Sequence, residues 1–246
     1  MDNNINNIPA EKFQFASRND LYHDSKLETN IDVARMTLAY AYLNKGENDK
    51  ALEVAEELID NTEAIILPNA EVLTNGFNNV DSKNWIWGQD VTIETTTALA
   101  SFFGQCDIYS YSYASAGDVK GIDANLLKEI TNLGWDIREY WWGNYYRLDT
   151  KDNEMYQYAP DGKFFSAKNP TSTLDKDIDR EWLQDVVYMR IEEAYLIASE
   201  AAWRSGDLAK AKEYLKALVI ERDPTIAAQL DSYNEEEFTP LAGRYG

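Results

Sequence analysis

Arg35-Met-Thr-Leu-Ala-Tyr-Ala-Tyr-Leu-Asn-Lys-Gly46-Glu-Asn-Asp-Lys50-Ala51-Leu-Glu53-Val-Ala-Glu-Glu-Leu58 has an echo late in the chain: Tyr195-Leu-Ile-Ala-Ser-Glu-Ala-Ala-Trp203-Arg-Ser-Gly206-Asp-Leu-Ala-Lys210-Ala211-Lys-Glu213-Tyr-Leu-Lys-Ala-Leu218. When Gly46 is laid on Gly206, Ala41, Lys50, Ala51, Glu53 and Leu58 fall on Ala201, Lys210, Ala211, Glu213 and Leu218 without a gap. Leu38, Ala39, Tyr42 and Leu43 lie on one face at helical spacing, and Ala51, Val54, Ala55 and Leu58 form the matching face after the turn. Each glycine stands where the chain leaves its first helix in a left-handed conformation, and the alanine five residues later lets two backbones approach. This is the pattern of tetratricopeptide-type helical hairpins, which need neighbours to bury their apolar face.

Tandem repeats of this kind recur about every 34 residues, whereas residues 61–186, which separate these two, do not repeat the pattern. The expected organisation is one mostly α domain of tetratricopeptide-like hairpins with a large irregular, loop-rich insert. Its parts are a hairpin at 30–60, an aromatic-rich insert at 61–186, a hairpin at 187–222 and a C-terminal segment at 223–246. Within the insert, Ile122 to Leu133 reads as a helix with Asp123 near its start.

The insert is rich in rings. Aromatic residues make up 13% of the chain, and Trp135, Tyr140, Trp141, Trp142, Tyr145, Tyr146, Tyr156, Tyr158, Phe164 and Phe165 outnumber the aliphatic side chains around them. Trp85-Ile-Trp87 and Tyr109-Ser-Tyr-Ser-Tyr113 alternate with period two, so in a strand each set would share a face. Flat rings beside amides and carboxylates suit sugars, whose C–H faces lie on a ring while their hydroxyls need hydrogen-bond partners. The alternative is that the rings fill a small second core, which fits Phe102, Phe103, Phe164 and Phe165 because Phe has no polar handle. Trp203 reads as hairpin packing.

Composition excludes several functions. With 23 basic against 43 acidic residues, a net charge of -20 repels nucleic-acid phosphates and anionic lipid heads. A single histidine, His23, and a single cysteine, Cys106, make a structural zinc site or a disulfide untenable expectations, and no cofactor motif is present. Asp175, Asp177 and Asp179 open like a calcium loop, but Arg180 and Val186 stand where that loop needs Gly and Glu. A glycoside hydrolase needs only two suitably placed carboxylates, and Asp136, Glu139 and Asp149 among the rings are the first suspects. No segment reaches the length of a membrane-spanning helix, and the Asn-rich start, Met1 to Pro9, lacks the basic and apolar regions of a signal peptide.

The hairpin from Arg35 to Asp60, the segment Trp85-Ile-Trp-Gly-Gln, the step Trp135-Asp-Ile-Arg138 and the run Val187-Tyr-Met-Arg190-Ile-Glu-Glu-Ala-Tyr-Leu-Ile-Ala-Ser-Glu-Ala with its Gly206-Asp turn occur in the order seen in SusD/RagB-like proteins, which this chain resembles. The portion Arg190 to Ala201 is the most specific. The resemblance covers residues 30 to about 222 and fits the middle and later part of such a protein; the family's lipid-bearing cysteine, early hairpins and charged C-terminal segment are not evident.

The resemblance implies non-catalytic binding of glycans at the bacterial outer membrane, with delivery to a SusC-like TonB-dependent transporter and membrane association only through a lipid anchor absent from this chain. Expected stacking rings are Trp141, Trp142, Tyr145 and Tyr146, with Asn144, Arg147 and Asp149 as hydroxyl partners, and Trp85 and Trp87 form a second group. The competing readings are a glycoside hydrolase and a protein-binding helical-repeat scaffold.

Overall fold

A glycine at φ 78° ends the first long helix and one at φ 86° ends its counterpart, so both hairpins turn through the same left-handed residue. At the first turn, the Gly46 N–H donates to the Leu43 carbonyl and the Glu47 N–H reaches back to that of Tyr42. At the second, Gly206 donates to Trp203 and Asp207 to Ala202. In each case the backward bond satisfies a carbonyl that the helix end would otherwise leave unpaired.

The computed structural model describes residues 26–27, 29–75, 79–91, 122–134, 136–141, 145–149, 154–158 and 185–238. Its elements are α1 (Ile31–Lys45), α2 (Asn48–Asn61), α3 (Asn69–Asn75), β1 (Trp85–Gln89), α4 (Ala124–Leu133), a 3-10 turn (Ile137–Trp141), β2 (Tyr145–Asp149), β3 (Glu154–Tyr158), β4 (Val186–Arg190), α5 (Ile191–Arg204), α6 (Leu208–Arg222), α7 (Pro224–Gln229) and a final 3-10 turn (Leu230–Ser232). The fold is mostly α and tetratricopeptide-like. The chain forms two compact units: one of residues 1–68, 80–89 and 187–246, and a second of 69–79 and 90–186.

In the first unit, α1–α2 and α5–α6 are the two expected hairpins. Helix α5 packs between α2 and α6, which explains why it is buried on several sides, at Ile191, Ala194, Ile197, Ala198, Ala201 and Ala202. Alanines let these backbones close up: Ala39, Ala51, Ala55, Ala194, Ala198, Ala201 and Ala211 are all fully buried. Ala41 and Ala201 share a place in the repeat but not in the packing, since Ala41 is exposed. A second cluster gathers Ala202, Leu215, Val219, Leu230 and Phe238 around the far side of the α5–α6 hairpin, and Trp203 packs against it as expected.

Polar bonds lock the hairpins together. The Tyr40 hydroxyl donates to Glu193, Tyr214 donates to Glu56 Oε1 at 2.6 Å, and Ser205 donates to Asp49 at 2.7 Å. Lys210 Nζ stands 2.5 Å from the same Glu56 oxygen. The specific run from Arg190 to Ala201 therefore works as joinery: Glu193 holds Tyr40 and lies 3.9 Å from Arg190, Glu200 pairs with Arg204, and Tyr195 meets the Tyr214 ring edge-on.

The 187–222 segment begins as a strand, not a helix. Asn84 accepts a bond from the Ile191 N–H while Gln89 accepts one from the Tyr188 hydroxyl, so β4 runs antiparallel to its partner β1. This pairing places residues 80–89, which interrupt the non-repeating stretch, in the hairpin unit.

The second unit contains regular structure among its described residues. Helix α4 is capped by Asp123, whose carboxylate accepts from Asn125 N and Leu126 N, and it starts within two residues of the expected position. Strands β2 and β3 form an antiparallel ribbon where the sequence suggests irregular turns. Tyr145 and Tyr146, with Tyr156 and Tyr158 on the partner strand, fit this ribbon, because aromatic residues favour extended backbone.

Replacing Gly206 by Ala is expected to cost about 1–2 kcal/mol. A Cβ there would meet nothing within 4 Å, so the penalty is one of backbone conformation, and Gly206→Asn should lose less; urea midpoints compare the two. Burial opposes ionisation of Glu56, but the bonds from Lys210 and Tyr214 outweigh it and hold the carboxyl below its usual range. Because the folded-state pKa is depressed, this contribution is complete above the unfolded value of about 4.3 and is lost as pH falls through the lower folded value. Glu56→Gln should therefore flatten the acid limb of the stability profile below about pH 4.5, as measured by urea unfolding at successive pH values.

Candidate functional site

The ribbon β2–β3 carries four of the expected site residues. Its register sets Tyr145 opposite Tyr158, Tyr146 opposite Gln157, Arg147 opposite Tyr156 and Asp149 opposite Glu154. In register terms, Tyr145, Arg147, Asp149, Tyr156 and Tyr158 form one alternate set of positions and Tyr146 belongs to the other. Trp141 closes the preceding 3-10 turn. Trp142 and Asn144 lie outside the described residues, as do His23, Cys106, Tyr109 to Tyr113 and the Asp175 to Asp179 run.

Asp136 introduces the 3-10 turn and is buried. Arg138 wraps back onto it: Nε donates at 2.9 and 3.0 Å to the two carboxylate oxygens, and the guanidinium NH2 group donates at 2.6 Å. The Arg138 backbone N–H adds a bond at 3.0 Å. A carboxylate clamped by its own neighbour serves the turn. The described residues hold no cluster of metal-ligating side chains.

The second expected group, on β1, divides. Trp85 is 1% exposed, which leaves no ring face for a ligand, and burial transfers it from the candidate rings to the core. Trp87 is half-buried and meets the Tyr188 ring edge-on, centroids 4.9 Å apart at 62°. Tyr188 was not among the expected rings, although the alternation Val187-Tyr-Met beside another strand is a readable sign of an outward position. It is 46% exposed, and its hydroxyl donates to Gln89 Oε1 at 2.8 Å.

A buried polar network stands at the start of β1. Ser82 Oγ donates to Asn84 Oδ1 at 2.7 Å, and Asn84 Nδ2 donates to both carboxylate oxygens of Glu192 at 2.9 and 3.2 Å. Arg222 stands 3.7 Å from Glu192 and also donates to the Leu67 carbonyl at 2.7 Å. Burial pulls the Arg222 pKa down, against the opposing pull of Glu192 and Glu221.

An open cleft of about 510 Å³ in the hairpin unit is lined by Asn30, Asp32, Arg35, Asn61, Lys83 and others. Within it Arg35 lies 2.7 Å from Glu57 and 3.5 Å from Asp32. Lys26, on its rim, donates to the Ser82 carbonyl at 2.6 Å, with burial lowering its pKa against Asp81. The cleft is lined by groups of both signs, Lys83 and Glu63 among them.

Comparison with known proteins bears on both units. The tetratricopeptide repeat family matches residues 34–64 and 192–224, the two hairpins. No curated protein matches the sequence. Among solved structures, a SusD-like carbohydrate binding protein from Bacteroides vulgatus is similar over 92% of this chain and 43% of its own, at 24% identity and a TM-score of 0.68. A SusD superfamily protein from Bacteroides thetaiotaomicron covers 91% of this chain and 48% of its own, at 18% identity and a TM-score of 0.66. A structure solved with xylogluco-oligosaccharide covers 92% and 50%, at 14% identity and a TM-score of 0.55. The chain is SusD-like in fold, and it spans less than half the length of the first two of these relatives.

Asn84→Ala would strip Glu192 of its amide donor inside the core, with an expected loss of about 2–3 kcal/mol. Asn84→Asp, which sets one carboxylate against another, should be worse than Ala; thermal unfolding of both variants decides the order.

Proposed function

We propose that this chain binds glycans without cleaving them, as part of a protein that captures oligosaccharide at the outer membrane and delivers it to a SusC-like TonB-dependent transporter. The observation that carries the reading is the SusD-like fold, shared with a carbohydrate binding protein and with a structure holding an oligosaccharide. The aromatic insert supports it: Tyr145, Tyr146, Arg147 and Asp149 stand on one ribbon immediately after Trp141, and Trp142 and Asn144 lie between them in sequence. Rings of this kind offer a sugar its apolar face, and the intervening amide and charged groups take its hydroxyls. The clamped state of Asp136 weighs against a hydrolytic pair at that position.

Location and partner rest on the same resemblance. No helix among the described residues is long and apolar enough to cross a membrane. Attachment through a lipid anchor, like the transporter partner, is carried over from the SusD-like resemblance alone.

Calorimetric titration of the purified chain against soluble plant, host and microbial oligosaccharides, with product analysis on the same samples, tests the proposal. Binding without release of reducing sugar is expected, and cleavage would overturn the non-catalytic assignment. Replacing Trp141 and Trp142 together by Ala should weaken binding about tenfold or more while circular dichroism stays unchanged. Equal affinity would remove those two rings from the site.

A further inference from the structure

Away from the ribbon β2–β3, the hairpin unit presents a separate group of sugar-compatible side chains, on β1 and β4. We infer that Tyr188, Trp87 and Gln89 form a second carbohydrate platform, which takes one hexopyranose unit of a bound oligosaccharide. The inference rests on the glycan-binding reading above and adds to it a site built on the scaffold.

Three observations combine. First, Tyr188 exposes 46% of its surface on a strand whose neighbours are more buried. Second, its ring is fixed at both ends: the Trp87 ring meets it edge-on at 4.9 Å, and Gln89 receives its hydroxyl proton at 2.8 Å. A ring already held in place loses little freedom when a ligand lands on it, which favours binding by preorganisation. Third, among the described residues neither the Trp87 indole N–H nor the Gln89 amide NH2 is engaged by a protein acceptor, and neither is a buried unpaired group.

The combination matches a pyranose in kind. An exposed ring face receives the C–H side of the sugar, while the indole and amide donors meet hydroxyl oxygens at its edge. The group carries no formal charge, so the ligand it suits is a neutral sugar unit. The buried network below, from Ser82 through Asn84 to Glu192, holds the start of β1 in position and so keeps Trp87 and Gln89 in register with Tyr188.

The test uses the whole chain and the oligosaccharide that binds most tightly among soluble cellohexaose, maltohexaose, xylogluco-oligosaccharide and an array of host and microbial glycans. Tyr188→Ala is expected to weaken binding about fivefold to tenfold, Tyr188→Phe to retain most of the affinity because the ring survives, and Gln89→Ala to give a smaller loss. Since Tyr188 stands at the surface, all three should keep the wild-type circular dichroism. If Tyr188→Ala binds like wild type while the Trp141 and Trp142 double variant fails, the platform is overturned and glycan capture stands. If Tyr188→Ala and Tyr188→Phe lose affinity equally, the ring is not a stacking surface and the inference falls. If the folded wild type binds none of these glycans, both readings fall together.

Discussion

The hydrogen-bonded pair Asn84 and Glu192 is the constraint on which the rest of the hairpin unit turns. It joins residues 108 apart in sequence, and it does so inside the core, where an unmet carboxylate would be costly. Asn84 also accepts the Ile191 N–H, so one residue fixes both the start of β1 and the first turn of α5. From that point β1 and β4 run side by side until the chain leaves the unit after Gln89. In the second unit the returning chain is caught again, where Val91 N donates to Asp185 at 3.1 Å. Closing a loop of this length costs entropy that grows only slowly with each added residue. A few well-paired polar groups are enough to offset the increment.

The hairpins depend on a different economy. Their helices approach through alanines, and the bonds from Tyr40, Tyr214, Lys210 and Ser205 cross from one hairpin to the other. Small residues bring backbones close but contribute modest apolar area, so side-chain bonds at the margin of the contact fix how the hairpins align. Within the run from Arg190 to Ala201, Glu193 reaches the other hairpin through Tyr40, Glu192 holds Asn84, and Tyr195 meets Tyr214 of its own hairpin.

Much of this was readable in sequence because it is local. A glycine followed by an alanine five residues on announces a left-handed turn and a close helix pair, and Asp123 announces the start of α4; the structure has both. What escaped reading depends on partners far away. Trp85 and Trp87 share a strand face by periodicity, yet only the packing around β1 decides that the first is core and the second half-open. Tyr188 stood unnoticed ahead of a strong helical pattern, since its exposure depends on pairing with β1. The ribbon β2–β3 was hidden because Tyr145–Asp149 and Glu154–Tyr158 mix aromatic and charged residues, with neither Gly nor Pro between them. The candidate rings Trp141, Trp142, Tyr145 and Tyr146 are neighbours in sequence, but ring orientation is a property of tertiary contacts.

The two ends of the excursion leave and rejoin the hairpin unit on adjacent antiparallel strands. Such an arrangement brings together the two ends of residues 90–186, which with 69–79 form the second unit. Sequence between Gln89 and Val187 can be lengthened, shortened or exchanged while the ladder of β1 and β4, the Asn84 bond and the alanine-lined helix contacts keep their geometry. A change in the length of that stretch therefore asks nothing of the alanine-lined core, in the way that a socket accepts different tools.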